Sequence, residues 1–264
     1  MPDMNQDFNC YKSCRYGTMI YNIHDTYVGR SLDMYGEFSE GEVELFRQTL
    51  RPDDIAVDIG ANIGAHTLFM AKAVGTRGRV LAFEPQRIVF QALCANMAIN
   101  SITNVYCHQV ALGETSGSLI VPPLDYSQEN NYGGLELGHF SQGETVPVRR
   151  LDELELPACR MIKIDVEGME KRVLEGSVET IRRFRPALYV ENDRKDRSAN
   201  LIRYIDSLGY AMFWHTPKLF NSDNFFKNPQ NVFGDVVSIN MLCLPKEAAI
   251  NVSGFPPVGI PAGQ

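Results

Sequence analysis

The sequence predicts an α/β fold with a largely parallel sheet, and two observations lead to that prediction. Short apolar runs typical of strands alternate with helix-forming segments from residue 55 onward. The first run, 55–59, continues through a glycine turn, 60–64, directly into an apolar helix-forming stretch. Repeated strand, turn and helix require crossover connections, which make neighbouring strands parallel. A ligand of such a sheet is expected beyond the carboxyl ends of its strands.

The order of the elements follows from the local pattern of apolar residues. Short apolar runs bounded by polar residues predict strands, and apolar residues three or four positions apart predict helices. The predicted strands are 17–21, 26–28, 55–59, 79–83, 105–112, 161–168, 186–192, 210–215 and 235–244. The predicted helices begin near Ser39 and cover 65–72, 86–100, 169–183 and 198–208. The last two strands are expected to form an antiparallel hairpin that closes the sheet.

A length of 264 residues suits one large domain, predicted at residues 51–246. Residues 1–50 are expected to cover this domain, and residues 247–264, rich in proline and glycine, to form a loosely held tail. Segment 113–150 interrupts the alternation of strands and helices and is rich in small and polar residues. Loops of this length in compact domains are often functional, so the segment is predicted to be an inserted lid.

The net charge of -7 argues against general affinity for nucleic-acid backbones or anionic membranes. No apolar run approaches the roughly 20 residues of a membrane span, and the polar residues 1–8 differ from a targeting peptide. A cytoplasmic location is therefore expected. The six cysteines are predicted to be free thiols, and Cys10 and Cys14 lack the second ligand pair of a zinc site.

The pattern Asp58-x-Gly60-x-Asn62-x-Gly64 predicts a cofactor site. Glycine allows the backbone to turn sharply and to approach a ligand closely. Dinucleotide folds use Gly-x-Gly-x-x-Gly against a pyrophosphate, whereas this chain has Asn62 at the second glycine and an anionic Asp58 before the turn. The pattern therefore favours a cationic cofactor without phosphate, such as S-adenosylmethionine, whose ribose Glu84 would bind at the end of the next strand. An ordinary tight connection between a strand and a helix is the alternative interpretation.

Taken together, these segments resemble the FkbM family of S-adenosylmethionine-dependent methyltransferases over residues 30–245. The segments that carry the resemblance are Tyr35–Glu40, Val57–Thr67, Gly78–Gln86, Asn131–Gly134, Leu151–Asp152, Ile162–Gly168 and Val173–Gly176. The resemblance implies a class I methyltransferase fold, which is a three-layer sandwich around a seven-stranded, mostly parallel sheet with an antiparallel last strand. It also implies methyl transfer, usually to an oxygen of a sugar, a polyketide or a similar small molecule.

The resemblance also implies roles for individual residues. Those assigned to the methionine end of the cofactor are Asp58, Gly60, Asn62 and Gly64; Glu84 is assigned to the ribose, and residues 109–112, including Ala111, to the border of the adenine. Tyr132 stands where the family motif carries phenylalanine, which keeps the aromatic ring and adds a hydroxyl.

Methyl transfer to a hydroxyl requires alignment of the acceptor and a general base. Asp165, at the carboxyl end of a buried strand, is the preferred base, with Glu167 and His66 as further catalytic candidates. An alternative role of Asp165 is to orient the cofactor ammonium or to cap the following turn.

The residues predicted to contact the acceptor are Tyr132, His139, Glu191 and Asn192. A magnesium site formed by Asp165, Glu191, Asn192 and Asp193 is considered, but no spacing requires it and no metal is predicted. The expected partner is a small-molecule acceptor and neither nucleic acid nor a membrane, with a homo-oligomer left open. Cofactor binding without turnover and N-methylation are the alternative functions.

Overall fold

The computed structural model describes residues 8–261, so residues 1–7 of the predicted cover and 262–264 of the predicted tail lie outside the described residues. The strands are β1 (Asn9–Cys14), β2 (Gly17–Asn22), β3 (Ile55–Ile59), β4 (Arg79–Phe83), β5 (Val105–His108), β6 (Ala111–Leu112), β7 (Gly117–Val121), β8 (Glu144–Arg149), β9 (Met161–Ile164), β10 (Ala187–Glu191), β11 (Tyr210–His215) and β12 (Asn240–Pro245). The helices are α1 (Val28–Tyr35), α2 (Glu40–Thr49), α3 (Ala65–Val74), α4 (Arg87–Ile99), α5 (Glu170–Glu175), α6 (Val178–Phe184) and α7 (Lys195–Ser207). Two 3-10 turns lie at Leu151–Leu154 and Lys246–Ala248.

Seven strands form the main sheet in the order β11-β12-β10-β9-β3-β4-β5. Strand β12 runs antiparallel to both β10 and β11, and the other neighbouring pairs are parallel. The prediction of a seven-stranded sheet with an antiparallel last strand is confirmed. After β3 the chain continues to β4 and β5 on one side, and β9 and β10 lie on the other side. This change of direction opens a crevice at the carboxyl ends of β3 and β9.

Helices cover both faces of the sheet and form the outer layers of the sandwich. On one face, α2 and α3 bury Phe46 and Met70 in a cluster with Ala56 of β3. On the other face, α5 and α6 bury Val173 and Ile181 against the opposite side chains of the same strands. Because side chains alternate between the two faces of a strand, successive side chains of β3 pack in the clusters on opposite faces of the sheet.

The amino-terminal cover consists of the β1–β2 hairpin and two helices. The predicted strand at 26–28 is wrong, because Val28 begins α1 and the carboxylate of Asp25 accepts a hydrogen bond from the Tyr27 amide at 3.0 Å. The predicted helix after Ser39 is confirmed as α2, and the Ser39 hydroxyl donates to the Glu42 carboxylate at 2.8 Å.

Two predicted elements are divided in the structure. The run 105–112 is not one strand, because β6 leaves the main sheet and pairs with β8 in a separate three-stranded sheet. The predicted lid 113–150 contains β7 and β8, and its longest stretch outside named elements is 122–143. The predicted helix 169–183 is broken at Gly176, where a Cβ would lie 2.0 Å from the carbonyl oxygen of Gly113.

The end of the chain returns to the edge of the main sheet. The Trp214 amide donates to the Pro256 carbonyl at 2.8 Å, and the Val258 amide donates to the Met212 carbonyl at 2.9 Å. Residues 256–258 are therefore held along β11, in contrast to the expected loose tail. All six cysteines are free thiols, as predicted. Across residues 8–261, the helices are too short or too polar to cross a membrane.

Candidate active site

A cavity of about 550 Å³ lies at the carboxyl ends of β3, β4, β9 and β10. Segments of the cover, the predicted lid and the loop before β12 complete its walls. The predicted site residues that line it are Gly60, Asn62, His66, Glu84, Ala111, Asp165, Glu167 and Glu191. Within the described chain, the lining does not include Asp58, Gly64, Tyr132, His139 or Asn192. The position of the cavity agrees with the expectation for a parallel sheet.

The glycine turn has a backbone that only certain residues adopt readily. Gly60, Asn62 and Gly64 all have positive φ, at 76°, 50° and 85°. A Cβ on Gly60 would lie 1.8 Å from the carbonyl oxygen of Asp165, whereas a Cβ on Gly64 would meet the Leu93 side chain at 2.6 Å. Gly60 thus permits close approach of the β9 end to the turn. Gly64 permits packing of α3 on α4, which corrects its predicted contact with the cofactor.

Glu84 is a buried carboxylate in the cavity wall. Its Oε2 accepts a hydrogen bond from the Asn62 amide at 3.0 Å, and its Oε1 accepts one from the Gln86 amide at 2.9 Å. Burial raises the pKa of Glu84 to about 7, although these two amides oppose the shift. Each carboxylate oxygen can accept more than one hydrogen bond, so both remain able to bind ligand hydroxyls.

Asp58, which was predicted to contact the cofactor, lies outside the described cavity lining. It is fully buried, accepts a hydrogen bond from the Thr67 hydroxyl at 2.6 Å, and lies 3.3 Å from the Lys163 ammonium. Lys163 also lies 3.4 Å from Asp165 Oδ2 and donates to the Gly60 carbonyl at 3.2 Å. Burial opposes its charge, but the carboxylates of Asp58 and Asp165 raise the pKa of Lys163. The lysine therefore connects β3, the glycine turn and β9.

Three acidic side chains from the ends of β9 and β10 meet in the cavity. Oxygen atoms of Asp165, Glu167 and Glu191 lie within 4.8 Å of one another, a set that could hold a hard metal ion. Burial, followed by the charges of its acidic neighbours, raises the pKa of Glu191 to about 11. Burial and Asp165 raise the pKa of Glu167 to about 8, and Glu167 is ion-paired with Arg194. A proton on Glu191 and the positive charge of Arg194 therefore reduce the repulsion among these three carboxyl groups.

His66 lies in the first turn of α3 and is 5% exposed. Its ring packs against Phe38 and Phe46, with centroids 5.4 Å and 5.3 Å away. Burial lowers the pKa of His66, so its imidazole is neutral near pH 7. Its Nε2 atom has no hydrogen-bond partner among residues 8–261.

The family model of the methyltransferase FkbM domain matches residues 58–212, which include the glycine turn, Glu84 and the acidic group. The chain belongs to the FkbM methyltransferase family. Both the sequence resemblance and the predicted fold class are thereby confirmed.

Two relatives of this FkbM chain are named as methyltransferases. Methyltransferase 1 of Beauveria bassiana is 31% identical over 148 residues, which are 47% of this chain and 59% of that protein. Hexuronic acid methyltransferase AglP of Haloferax volcanii is 26% identical over 159 residues, covering 58% of this chain and 62% of that protein. The chain thus spans about six tenths of the length of these relatives.

A solved structure was also compared with this FkbM chain. The crystal structure of methyltransferase FkbM from Methylobacillus flagellatus KT is 19% identical to it, with a TM-score of 0.48. The match covers 76% of this chain and 50% of that one.

The Asn-Tyr-Gly-Gly motif of the FkbM domain contributes backbone to the cavity. Asn131, Gly133 and Gly134 line it, whereas the Tyr132 ring is buried and stacks on Tyr126 with centroids 4.9 Å apart. The Tyr132 hydroxyl donates to two loop carbonyls, and its own carbonyl accepts from the Gln86 side chain at 2.7 Å. Tyr132 therefore anchors the lid and does not contact the cavity, contrary to prediction.

Two other predicted acceptor contacts lie elsewhere in the FkbM domain. His139 is exposed and bonded to Glu136 at 2.9 Å, beside a separate groove. The Asn192 side-chain amide donates to the Met241 sulfur at 3.3 Å, and Asn192 is not among the residues that line the described cavity.

The structure also places in the cavity polar residues that were not predicted as site residues, among them Glu42, Lys163 and Asn240. Lys163 carries a signal in the sequence, because it is a lysine inside the apolar strand Met161–Ile164. Glu42 resembles an ordinary residue of a first helical turn, and Asn240 resembles an ordinary strand-end residue.

Proposed function

We propose that the chain is an S-adenosylmethionine-dependent methyltransferase that methylates a hydroxyl of a small molecule. The observation that carries the proposal is one cavity with a buried ribose-type carboxylate, Glu84, and an available carboxylate, Asp165, on separate walls. The family supports methyl transfer, and the AglP relative supports a small acceptor.

The cavity suits the proposed cofactor in shape and charge. Glu84 would accept hydrogen bonds from the ribose hydroxyls, and the apolar side chains of Val110, Ala111 and Leu112 would border the adenine. The methionine end would lie beside Gly60, where the backbone permits close approach. The acidic group at the ends of β9 and β10 favours a cationic ligand and disfavours a pyrophosphate.

When bound, S-adenosylmethionine supplies an electrophilic methyl group on a sulfonium. Asp165 is the proposed general base, because its side chain is 38% exposed to the cavity and its backbone lies against the glycine turn. Lys163 holds one of its oxygens at 3.4 Å and supplies a counter-charge. In the transfer, the acceptor oxygen would gain the methyl group as the carbon–sulfur bond of the sulfonium breaks, and S-adenosylhomocysteine would be the leaving group. Asp165 would take the proton of the acceptor hydroxyl. The walls of the cavity hold the acceptor in line for this transfer.

His66 is the second candidate base, because its buried imidazole is neutral and its Nε2 lacks a partner in the described part of the chain. Glu167 is the weaker candidate, since Arg194 already engages its carboxylate. The absence of a required metal, the cytoplasmic location and the oligomeric state stay predictions.

Calorimetry with S-adenosylhomocysteine and with NAD tests the cofactor class. Binding of the first and not the second is expected, and the absence of binding to S-adenosylhomocysteine would refute the proposal. Release of S-adenosylhomocysteine in an acceptor screen then separates an enzyme from a protein that only binds the cofactor.

Replacement of the base tests the chemistry. Asp165→Asn is expected to lower turnover by about 10²–10⁴-fold while cofactor affinity stays within a few-fold. Asp196→Asn is the matched control, since that side chain is 77% exposed on α7 and should change neither quantity. If Asp165→Asn keeps full turnover and His66→Gln loses it, His66 is the base.

A further inference from the structure

Two buried nitrogens without partners mark a part of the cavity that the proposed cofactor contacts do not use. They are His66 Nε2 on α3 and Asn240 Nδ2 at the start of β12, on side chains whose residues are 5% and 4% exposed. Neither has a hydrogen-bond partner within residues 8–261, and both residues line the cavity. A buried polar group without a partner costs about 1–3 kcal/mol, so native proteins rarely leave one without a protein, water or ligand partner.

Neighbouring groups do not satisfy these nitrogens. The Asn240 amide lies near the Tyr189 hydroxyl but makes no hydrogen bond of acceptable geometry to it, and that hydroxyl is engaged with His215 Nδ1 at 2.8 Å. Glu42, in the same wall, is 4% exposed and accepts from the Ser39 hydroxyl. A ligand hydroxyl, which both donates and accepts, could pair with the imidazole and the amide. These residues form a polar floor, composed of Glu42, His66 and Asn240.

Partly exposed apolar side chains line the rim of the cavity. Tyr27, Val236 and Val237 line the cavity and are 37%, 38% and 37% exposed. The rim is held in place, because the Leu219 amide donates to the Val236 carbonyl at 3.0 Å and the Tyr27 ring stacks on Phe233. Scattered apolar side chains are normal on surfaces, but three that line one cavity offer apolar contacts to a ligand there.

We propose that the acceptor is amphipathic, with a hydroxyl-bearing end on the polar floor and an apolar portion against the rim formed by Tyr27, Val236 and Val237. This inference rests on the proposed function, since it describes the second substrate of that site. A second copy of the chain is a less suitable occupant of the rim, because the rim is continuous with the cavity that holds the unpaired nitrogens.

Paired ligands that differ only in their apolar part test the inference. Protein saturated with S-adenosylhomocysteine is titrated with methyl β-D-glucoside and with n-octyl β-D-glucoside below its micelle concentration. The octyl compound is expected to bind at least about tenfold more tightly, because its chain leaves water at the rim. Equal affinities, or no binding of either, would overturn the inference.

Variants locate the contacts. Val237→Asp should remove most of the affinity advantage of the octyl compound. Asn240→Leu should weaken the binding of both glucosides to the same extent. Ile250→Asp is the matched control, since that side chain is 55% exposed and does not belong to the described cavity lining. If Ile250→Asp loses the affinity advantage of the octyl compound as fully as Val237→Asp does, that advantage comes from nonspecific binding, and the inference is overturned.

Cofactor binding and molecular mass separate the remaining outcomes. All three variants should bind S-adenosylhomocysteine as the unmodified chain does, which also reports that they fold. If the unmodified chain does not bind S-adenosylhomocysteine, the proposed function is refuted. If it binds S-adenosylhomocysteine but has equal affinity for the two glucosides, only the inference of an amphipathic acceptor is refuted. A change of oligomeric state in Val237→Asp without a change in glucoside affinity would assign the rim to a second copy and overturn the inference.

Discussion

Replacement of Lys163 by methionine removes the ammonium that lies between the buried carboxylate of Asp58 and the Asp165 carboxylate of the cavity wall. The Lys163 ammonium lies 3.3 Å from Asp58 and 3.4 Å from Asp165, and the side chains of Lys163 and Asp58 are 3% and 0% exposed. Without the ammonium, buried Asp58 keeps only the 2.6 Å hydrogen bond from Thr67. Breaking a buried ion pair on one side costs about 3–5 kcal/mol, so the free energy of unfolding should fall by that amount.

Urea unfolding at neutral pH, followed by circular dichroism, measures this loss. The double variant Lys163→Met with Asp58→Asn should recover most of it, because no uncompensated charge is then buried. Lys171→Met is the matched control: its pair with Glu175 is 46% and 33% exposed, and its loss should stay below about 1 kcal/mol. If Lys163→Met costs no more than this control, Lys163 does not stabilise Asp58 as the geometry implies.

Two further predictions concern the cofactor side of the cavity. Since burial raises the pKa of Glu84 to about 7 and ribose hydroxyls bind the ionised form, affinity for S-adenosylhomocysteine should rise with pH up to that value, by at most about tenfold per unit. Calorimetry across this pH range should show that Glu84→Gln binds S-adenosylhomocysteine more weakly and with an affinity that does not change with pH. An affinity of the unmodified chain that does not change with pH would contradict the assignment of Glu84 to the ribose. Gly60→Ala should abolish cofactor binding and lower the melting temperature, because its φ is 76° and its Cβ would lie 1.8 Å from the Asp165 carbonyl. Gly75→Ala is the matched control: its φ is 68° and the space around it is open, so only backbone strain should lower its melting temperature. Equal melting temperatures for the two variants would refute the steric argument.

Local patterns were sufficient for most of the main sheet. Strands 55–59 and 79–83 were predicted with the observed bounds, because short apolar runs between turn residues are determined by neighbours in sequence. The glycine turn was predicted for the same reason, and Gly60, Asn62 and Gly64 have the positive φ that such a turn requires. The resemblance to the family supplied the number of strands, which periodicity alone does not contain.

Errors in the elements arose where distant segments approach each other. The strand predicted at 105–112 divides because Ala111 and Leu112 pair with β8 in a different sheet. The helix predicted at 169–183 breaks because Gly176 packs against the Gly113 carbonyl, more than sixty residues away. Neither contact has a periodic signal, since both depend on pairing between separate parts of the chain.

The sequence by itself determined the fold class, the glycine turn and the set of acidic residues at the strand ends, because these depend on short-range pattern and on the geometry of parallel sheets. Only the tertiary structure decided which of those side chains face the cavity. It paired Asp58 with Lys163, anchored Tyr132 in the lid and left nitrogens of His66 and Asn240 without partners in the described chain. The physical reason is that burial and pairing depend on contacts between residues far apart in sequence, which no local pattern specifies.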